Sequence, residues 1–169
     1  LILPPVPEVG VTIPNRFGTA IAASSSWLLV GAPGEDTPGI ANTGAAHLYE
    51  LNGGGHVWRA QLIAADAGAD DEFGAALAIS SDVLVIGAPG DDLPAGSGAG
   101  SAYVFERNGS IWEQRAKLIA PDAATGDQFG ISVAVSGHAI VVGALDDDID
   151  GIGANAGSAH LFQKVGGSW

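Results

Sequence analysis

The residues best suited to chemistry in this 169-residue sequence are acids, and the sharpest run is Asp146-Asp147-Asp148-Ile149-Asp150-Gly151. Alternating carboxylates followed by a glycine suit a hard cation wrapped in a tight turn, with the Ile152 carbonyl as a further ligand. Calcium is the expected ion, and Asp146, Asp148 and Asp150 are its expected ligands. Ala154 stands where a ninth-position carboxylate would be, and no Glu closes a twelve-residue loop, so the run is not an EF-hand. Two shorter pairs, Asp91-Asp92 and Glu35-Asp36, repeat the theme, which adds Asp91 and Asp92 to the candidate ligands. The alternative at each place is a solvated acidic turn.

Other chemistry is weakly supported. There is no cysteine, so neither a disulfide framework nor a thiolate zinc site exists. No two histidines have metal-ligand spacing on one element, and no serine sits in a nucleophile elbow or a phosphate-binding loop. His47 and His160 occupy the position filled elsewhere by Tyr103, which reads as packing with a polar tip. Gly151-Ile152-Gly153-Ala154-Asn155-Ala156 resembles a dinucleotide fingerprint only superficially, because it lies in an acidic β-loop with no helix to follow. Carboxylates are too numerous for any pair to single out glycoside chemistry. Trp58, Trp112 and Trp169 read as packing residues, with sugar stacking as the alternative. No catalytic residue is assigned, and the expected protein is not an enzyme.

Charge narrows the partners. Six Lys and Arg stand against nineteen Asp and Glu, a formal net charge of −13. Such a chain is repelled by phosphate backbones and anionic leaflets, which argues against nucleic acid and electrostatic membrane docking. Apolar types make up 47% of the residues, too many for a disordered polyanion and enough for one domain with a core. No run approaches the length of an apolar membrane span, so no membrane insertion is expected.

The elements that position these residues come from internal repetition. Phe17-Gly18, Phe73-Gly74 and Phe129-Gly130 follow one another at intervals of 56 residues. Gly31-Ala32-Pro33, Gly87-Ala88-Pro89 and Gly143-Ala144 keep the same period, with Leu145 in place of the third proline. Gly44-Ala45-Ala46-His47-Leu48-Tyr49, Gly100-Ser101-Ala102-Tyr103-Val104-Phe105 and Gly157-Ser158-Ala159-His160-Leu161-Phe162 follow, the last displaced by one inserted residue. Each unit holds four short apolar or alternating runs between Gly, Pro, Asp and Ser clusters, the pattern of strands and turns. In the second unit strand A is expected over 73–80, B over 83–88, C over 101–107 and D over 111–120. The run Val83-Leu84-Val85-Ile86 predicts a strand buried on both faces. The units run over about 4–60, 61–116 and 117–169 of one repeat domain. Three four-stranded units are compatible with a three-fold trefoil or prism, a stack of sheets, or part of a propeller.

Phe-Gly followed 14 residues later by Gly-Ala-Pro, then by Gly-Ser-Ala-Tyr-Val-Phe and a Trp, resembles the FG-GAP repeat family over nearly the whole chain. The resemblance implies all-β architecture, with one β-propeller blade per unit of about 56 residues, as in integrin α subunits and many bacterial surface proteins. It also implies an extracellular or cell-surface adhesion role with a protein or glycan ligand. Calcium loops of integrin type lie between strands A and B, where this chain has only Ser80-Ser81-Asp82 and Ser136-Gly137-His138, which match tight turns. Propellers typically close with four to eight blades, so three are too few to close a ring alone. Leu1-Ile2-Leu3 resembles the end of strand D and Gly166-Gly167-Ser168-Trp169 its beginning, which places the cut inside a D strand. Self-association is therefore expected, as a two-chain ring or a head-to-tail filament, the alternatives being further blades of a longer chain or a self-contained three-fold monomer.

In an up-and-down sheet the B to C and D to A connections share one end. The first set holds Glu35, Asp36, Asp91, Asp92, Asp146, Asp147, Asp148 and Asp150, and the second holds Glu8, Asp66, Asp70, Asp71, Glu72, Asp122 and Asp127. Fifteen of the nineteen acids are thus expected on one rim. Arg59, Arg107, Arg115, Lys117 and Lys164 fall in C, D or their connection, with Arg16 the exception, so the molecule is expected to be polar end to end. The resulting expectation is a binding or adhesion module with a cation-loaded acidic face, or else a self-assembling structural subunit.

Overall fold

The computed structural model describes residues 1–2, 15–149 and 151–169. Eleven strands and no helix occur among them. The first sheet pairs β1 (Ile21–Ala23), β2 (Trp27–Ala32), β3 (Ala45–Asn52) and β4 (Gly55–Leu62) in chain order. The second repeats this with β5 (Ala76–Ser80), β6 (Val83–Ala88), β7 (Ser101–Asn108) and β8 (Ile111–Leu118). The third contains β9 (Phe129–Ser136), β10 (Ala139–Ala144) and β11 (Ser158–Gln163) among the described residues. Every pairing is antiparallel, and no sheet closes into a barrel, as expected of three propeller-blade units.

Period-2 alternation sorts each central strand between two neighbours. Leu84 and Ile86 of β6 join Leu29 and Leu48 of the first unit in one core, while Val85 and Val104 join Ile140 and Val142 of the third in another. The double burial expected of Val83-Leu84-Val85-Ile86 follows, with Val83 half-buried at the strand end. Phe73 and Phe129 are fully buried in the two inter-sheet cores.

Glycines make the sheets meet. A Cβ on Gly31 would stand 2.0 Å from the Gly74 carbonyl oxygen, and one on Gly87 would stand 1.9 Å from that of Gly130. The glycine of each Gly-Ala-Pro in the first two units therefore touches the Phe-Gly backbone of the unit that follows.

Three boundaries of the second unit differ from the expected reading: strand C runs on to Asn108 rather than ending at 107, strand D ends at Leu118 rather than at 120, and strand A starts late. Strand A of the second unit starts at Ala76 rather than at position 73. Gly74 sits at φ +96°, outside the extended region, and the Ala75 amide turns back onto the Glu72 carbonyl at 3.1 Å. Phe73 instead forms a parallel bridge with Gly44 of the first unit. Between strands A and B the second and third units have two-residue turns, Ser81-Asp82 and Gly137-His138, as the sequence predicts.

Candidate functional site

The meander brings the B to C loops and the D to A connections together. Asn42 donates to Asp70 Oδ1 at 2.8 Å, Gly90 to the Asp71 carbonyl at 3.1 Å, and Asp146 to the Asp127 carbonyl at 3.3 Å. Arg16 pairs with Glu72 at 2.6 Å, across one repeat length. At the opposite end, acids and bases pair: Arg59 with Glu50, Arg107 with Asp82, Arg115 with Glu113 and Lys164 with Glu106. Lys117 departs from the expected separation, because it stands next to the end of strand D, where its side chain carries the ammonium to the acidic rim.

There Lys117 Nζ lies 2.6 Å from Asp66 Oδ2 and 2.7 Å from Asp91 Oδ2. The Tyr103 hydroxyl lies 2.9 Å from both Asp66 Oδ1 and Asp91 Oδ2, which share its one proton, and the Ser101 hydroxyl donates to Asp91 Oδ2 at 2.5 Å. Partial burial alone would raise the Asp66 carboxyl, but hydrogen bonds from Lys117 and Tyr103 and the Lys117 charge hold it below its ordinary value. Burial opposes the Lys117 charge too, and the bonds and charges of Asp66 and Asp91 outweigh it, leaving the ammonium raised. Burial pushes the Tyr103 hydroxyl far up, so it stays a donor. Asp71, beside this cluster, is raised by burial and by the charge of Asp91, despite the Gly68 amide it accepts at 2.5 Å.

The same place recurs in every unit with different residues. In the first, Glu35 accepts from Gln61 at 2.7 Å and pairs with His47 Nε2 at 2.7 Å. In the third, Asp147 and His160 stand where Asp91 and Tyr103 stand in the second, with Asp122 in the place of Asp66. Charge counting by connection treats these residues separately; the 56-residue register, applied to single positions, is the signal that unites them. His47 is buried against Phe17, ring centroids 5.6 Å apart, as its packing role requires.

The expected calcium ligands take varied places. Asp146 accepts a short hydrogen bond from Gln128. Asp148 is exposed and its Oδ1 accepts from the Asn155 amide at 2.7 Å. Asp150 lies outside the described residues. Asp91 is buried in the lysine-bridged cluster, whereas Asp92 Oδ1 accepts from Ser97 at 2.7 Å and the Gly98 amide at 2.8 Å, bonds that lower its carboxyl. Asp36, Asp92 and Asp148 thus play one part: each closes its own B to C loop on a backbone amide. Asp148, Ile149, Gly151, Ile152, Gly153 and Ala154 line a shallow depression at the third loop.

The tryptophans divide. Trp112 packs edge-on against Trp27 at 5.7 Å and Trp169 donates to Glu106 at 2.7 Å, whereas Trp58 is exposed. Among the described residues no helix is long and apolar enough to cross a membrane.

Comparison with known families adds one finding. The FG-GAP repeat profile matches residues 14–49, 58–105 and 112–162, one match per unit. No curated protein matches the sequence at a significant level.

Proposed function

The chain belongs to the FG-GAP repeat family, and from that premise we propose that it is a non-enzymatic, extracellular binding module of β-propeller type whose acidic rim takes calcium and presents a surface to a protein or glycan. The observation that carries this reading is the gathering of carboxylates on one rim while the opposite end pairs its acids with arginine and lysine. A concentration of like charge is relieved by counter-cations. The third B to C loop is the proposed seat, with Asp146, Asp148 and Asp150 as ligands. The side chain of Asp148, exposed beside a depression lined by Gly151 and Gly153, favours that loop. Titration calorimetry with calcium tests it: heat of binding that disappears in Asp148→Ala is expected, and no heat at millimolar calcium refutes the proposal.

A second reading, self-association, is favoured by the uncovered face of the third sheet. Val85 and Val104 are fully buried beneath the next unit, while their counterparts Val141 and Leu161 are 40% and 63% exposed. Another blade, from a second copy or from further chain, fits that face.

A further inference from the structure

Three side chains on the rim of the third unit, Asp122, Asp147 and His160, offer donor atoms that all lie within 4.8 Å of one another. They come from separate elements: the connection after β8, the loop after β10, and β11. His160 Nε2 is 3.7 Å from Asp147 Oδ2 and 3.9 Å from Asp122 Oδ1. The Asp147 side chain is only 5% exposed, turned inward where its neighbour Asp148 faces outward, and its Oδ2 has no hydrogen-bond partner among the described residues. A buried carboxylate oxygen without a donor is costly unless a cation meets it.

The second unit shows what this place in the fold accommodates. There the ammonium of Lys117 bridges Asp66 and Asp91, the counterparts of Asp122 and Asp147. In the third unit no lysine or arginine pairs with either acid among the described residues, and Tyr103, which can only donate to these carboxylates, is replaced by His160, which can ligate.

We propose that Asp122, Asp147 and His160 form a zinc-binding site. One imidazole nitrogen and two carboxylate oxygens, with a fourth position open toward solvent beside the exposed Asp122, match the mixed donor set and low coordination number of Zn²⁺. Calcium, which takes six to eight oxygens, does not suit it. Tetrahedral zinc with bonds of about 2.0–2.2 Å sets its donors about 3.3–3.6 Å apart, so the 3.7 and 3.9 Å separations from His160 Nε2 lie just outside that range and the exposed Asp122 has room to move inward. His160 Nε2 now contacts the Ser158 hydroxyl at 2.8 Å. Metal binding at Nε2 frees that hydroxyl to donate to Asp147, as Ser101 donates to Asp91.

The test is titration of the whole chain with Zn²⁺ in calcium-containing buffer, with Co²⁺ as an absorbing substitute. Binding that weakens at least about tenfold in His160→Tyr and Asp147→Asn, and is unchanged in Glu50→Gln at the opposite end of the molecule, is expected. Zinc bound equally by all three variants means adventitious capture by the acidic rim and overturns the proposal. Should the variants misfold, histidine NMR of the unmodified chain decides: zinc must shift the His160 ring signals and spare those of His47, His56 and His138. If His160 does not respond to zinc, the proposal is wrong.

Discussion

Asp91 is buried in a rim crowded with like charge, and held by one ammonium and two hydroxyls. Removing the ammonium leaves that carboxylate without a counter-charge. Because Lys117 is partly exposed, the cost falls below that of a fully buried pair, and Lys117→Met is expected to lose about 2 kcal/mol in urea denaturation. Tyr103→Phe, which keeps the packing and deletes the one donor shared by Asp66 and Asp91, is expected to lose about 1–3 kcal/mol. The pH dependence has opposite signs at the two ends of the scale. Asp66 is lowered in the fold, so its contribution is present above the unfolded carboxyl range and fades as pH falls through the folded value. Lys117 is raised, so its contribution is complete below the unfolded lysine value and is lost as pH rises through the folded one. Stability followed by urea midpoint should therefore fall on the alkaline side above about pH 10.4. That alkaline loss should shrink in Lys117→Met.

At the scale of the element, the repeat's glycines are contact points between sheets as much as turn formers. Gly87 sits in β6 with ordinary strand geometry, yet any side chain there meets the Gly130 carbonyl of the next unit. Gly53, by contrast, has φ +54° and open space around the position of a Cβ. Gly87→Ala is expected to cost about 3 kcal/mol through forced separation of two sheets, and Gly53→Ala about 1 kcal/mol through backbone strain alone. Thermal melts of the two variants check the order, and equal melting temperatures would remove the argument for close contact. The same element scale explains the shortened strand A. Alternation and β-propensity mark 73–80 as one run, but a glycine at positive φ breaks it, because its task is to bring a neighbour's backbone near.

At the scale of the molecule, the two inter-sheet cores are sealed by strands from both partners, whereas the outer face of the third sheet presents Val141, Leu161 and Ile131 to solvent. Exposed apolar residues on a regular sheet face mark an interface. A charge placed in its centre, Leu161→Asp, is expected to abolish concentration-dependent association in sedimentation velocity while leaving the melting temperature nearly unchanged. A chain that is monomeric at all micromolar concentrations before substitution would remove the self-association reading.

The spacing of Phe-Gly, Gly-Ala-Pro and the strand C motif was enough to determine the all-β class, the unit length, the strand order and the rim on which acids gather, because these depend on local periodicity and on the geometry of an antiparallel meander. The strands of the second unit lie where alternation places them, save that strand A starts three residues late, strand C runs one residue further and strand D ends two residues early. What the tertiary structure alone decided is which side chains of separate strands and loops meet. Asp66 meets Lys117 across 51 residues, Lys117 climbs from its strand onto the acidic rim, and Asp147 turns inward toward His160 while Asp148 turns out. Such meetings depend on how loops and connections fold over the end of a sheet, and the direction of a side chain in an acidic loop is set by that packing rather than by its neighbours in sequence.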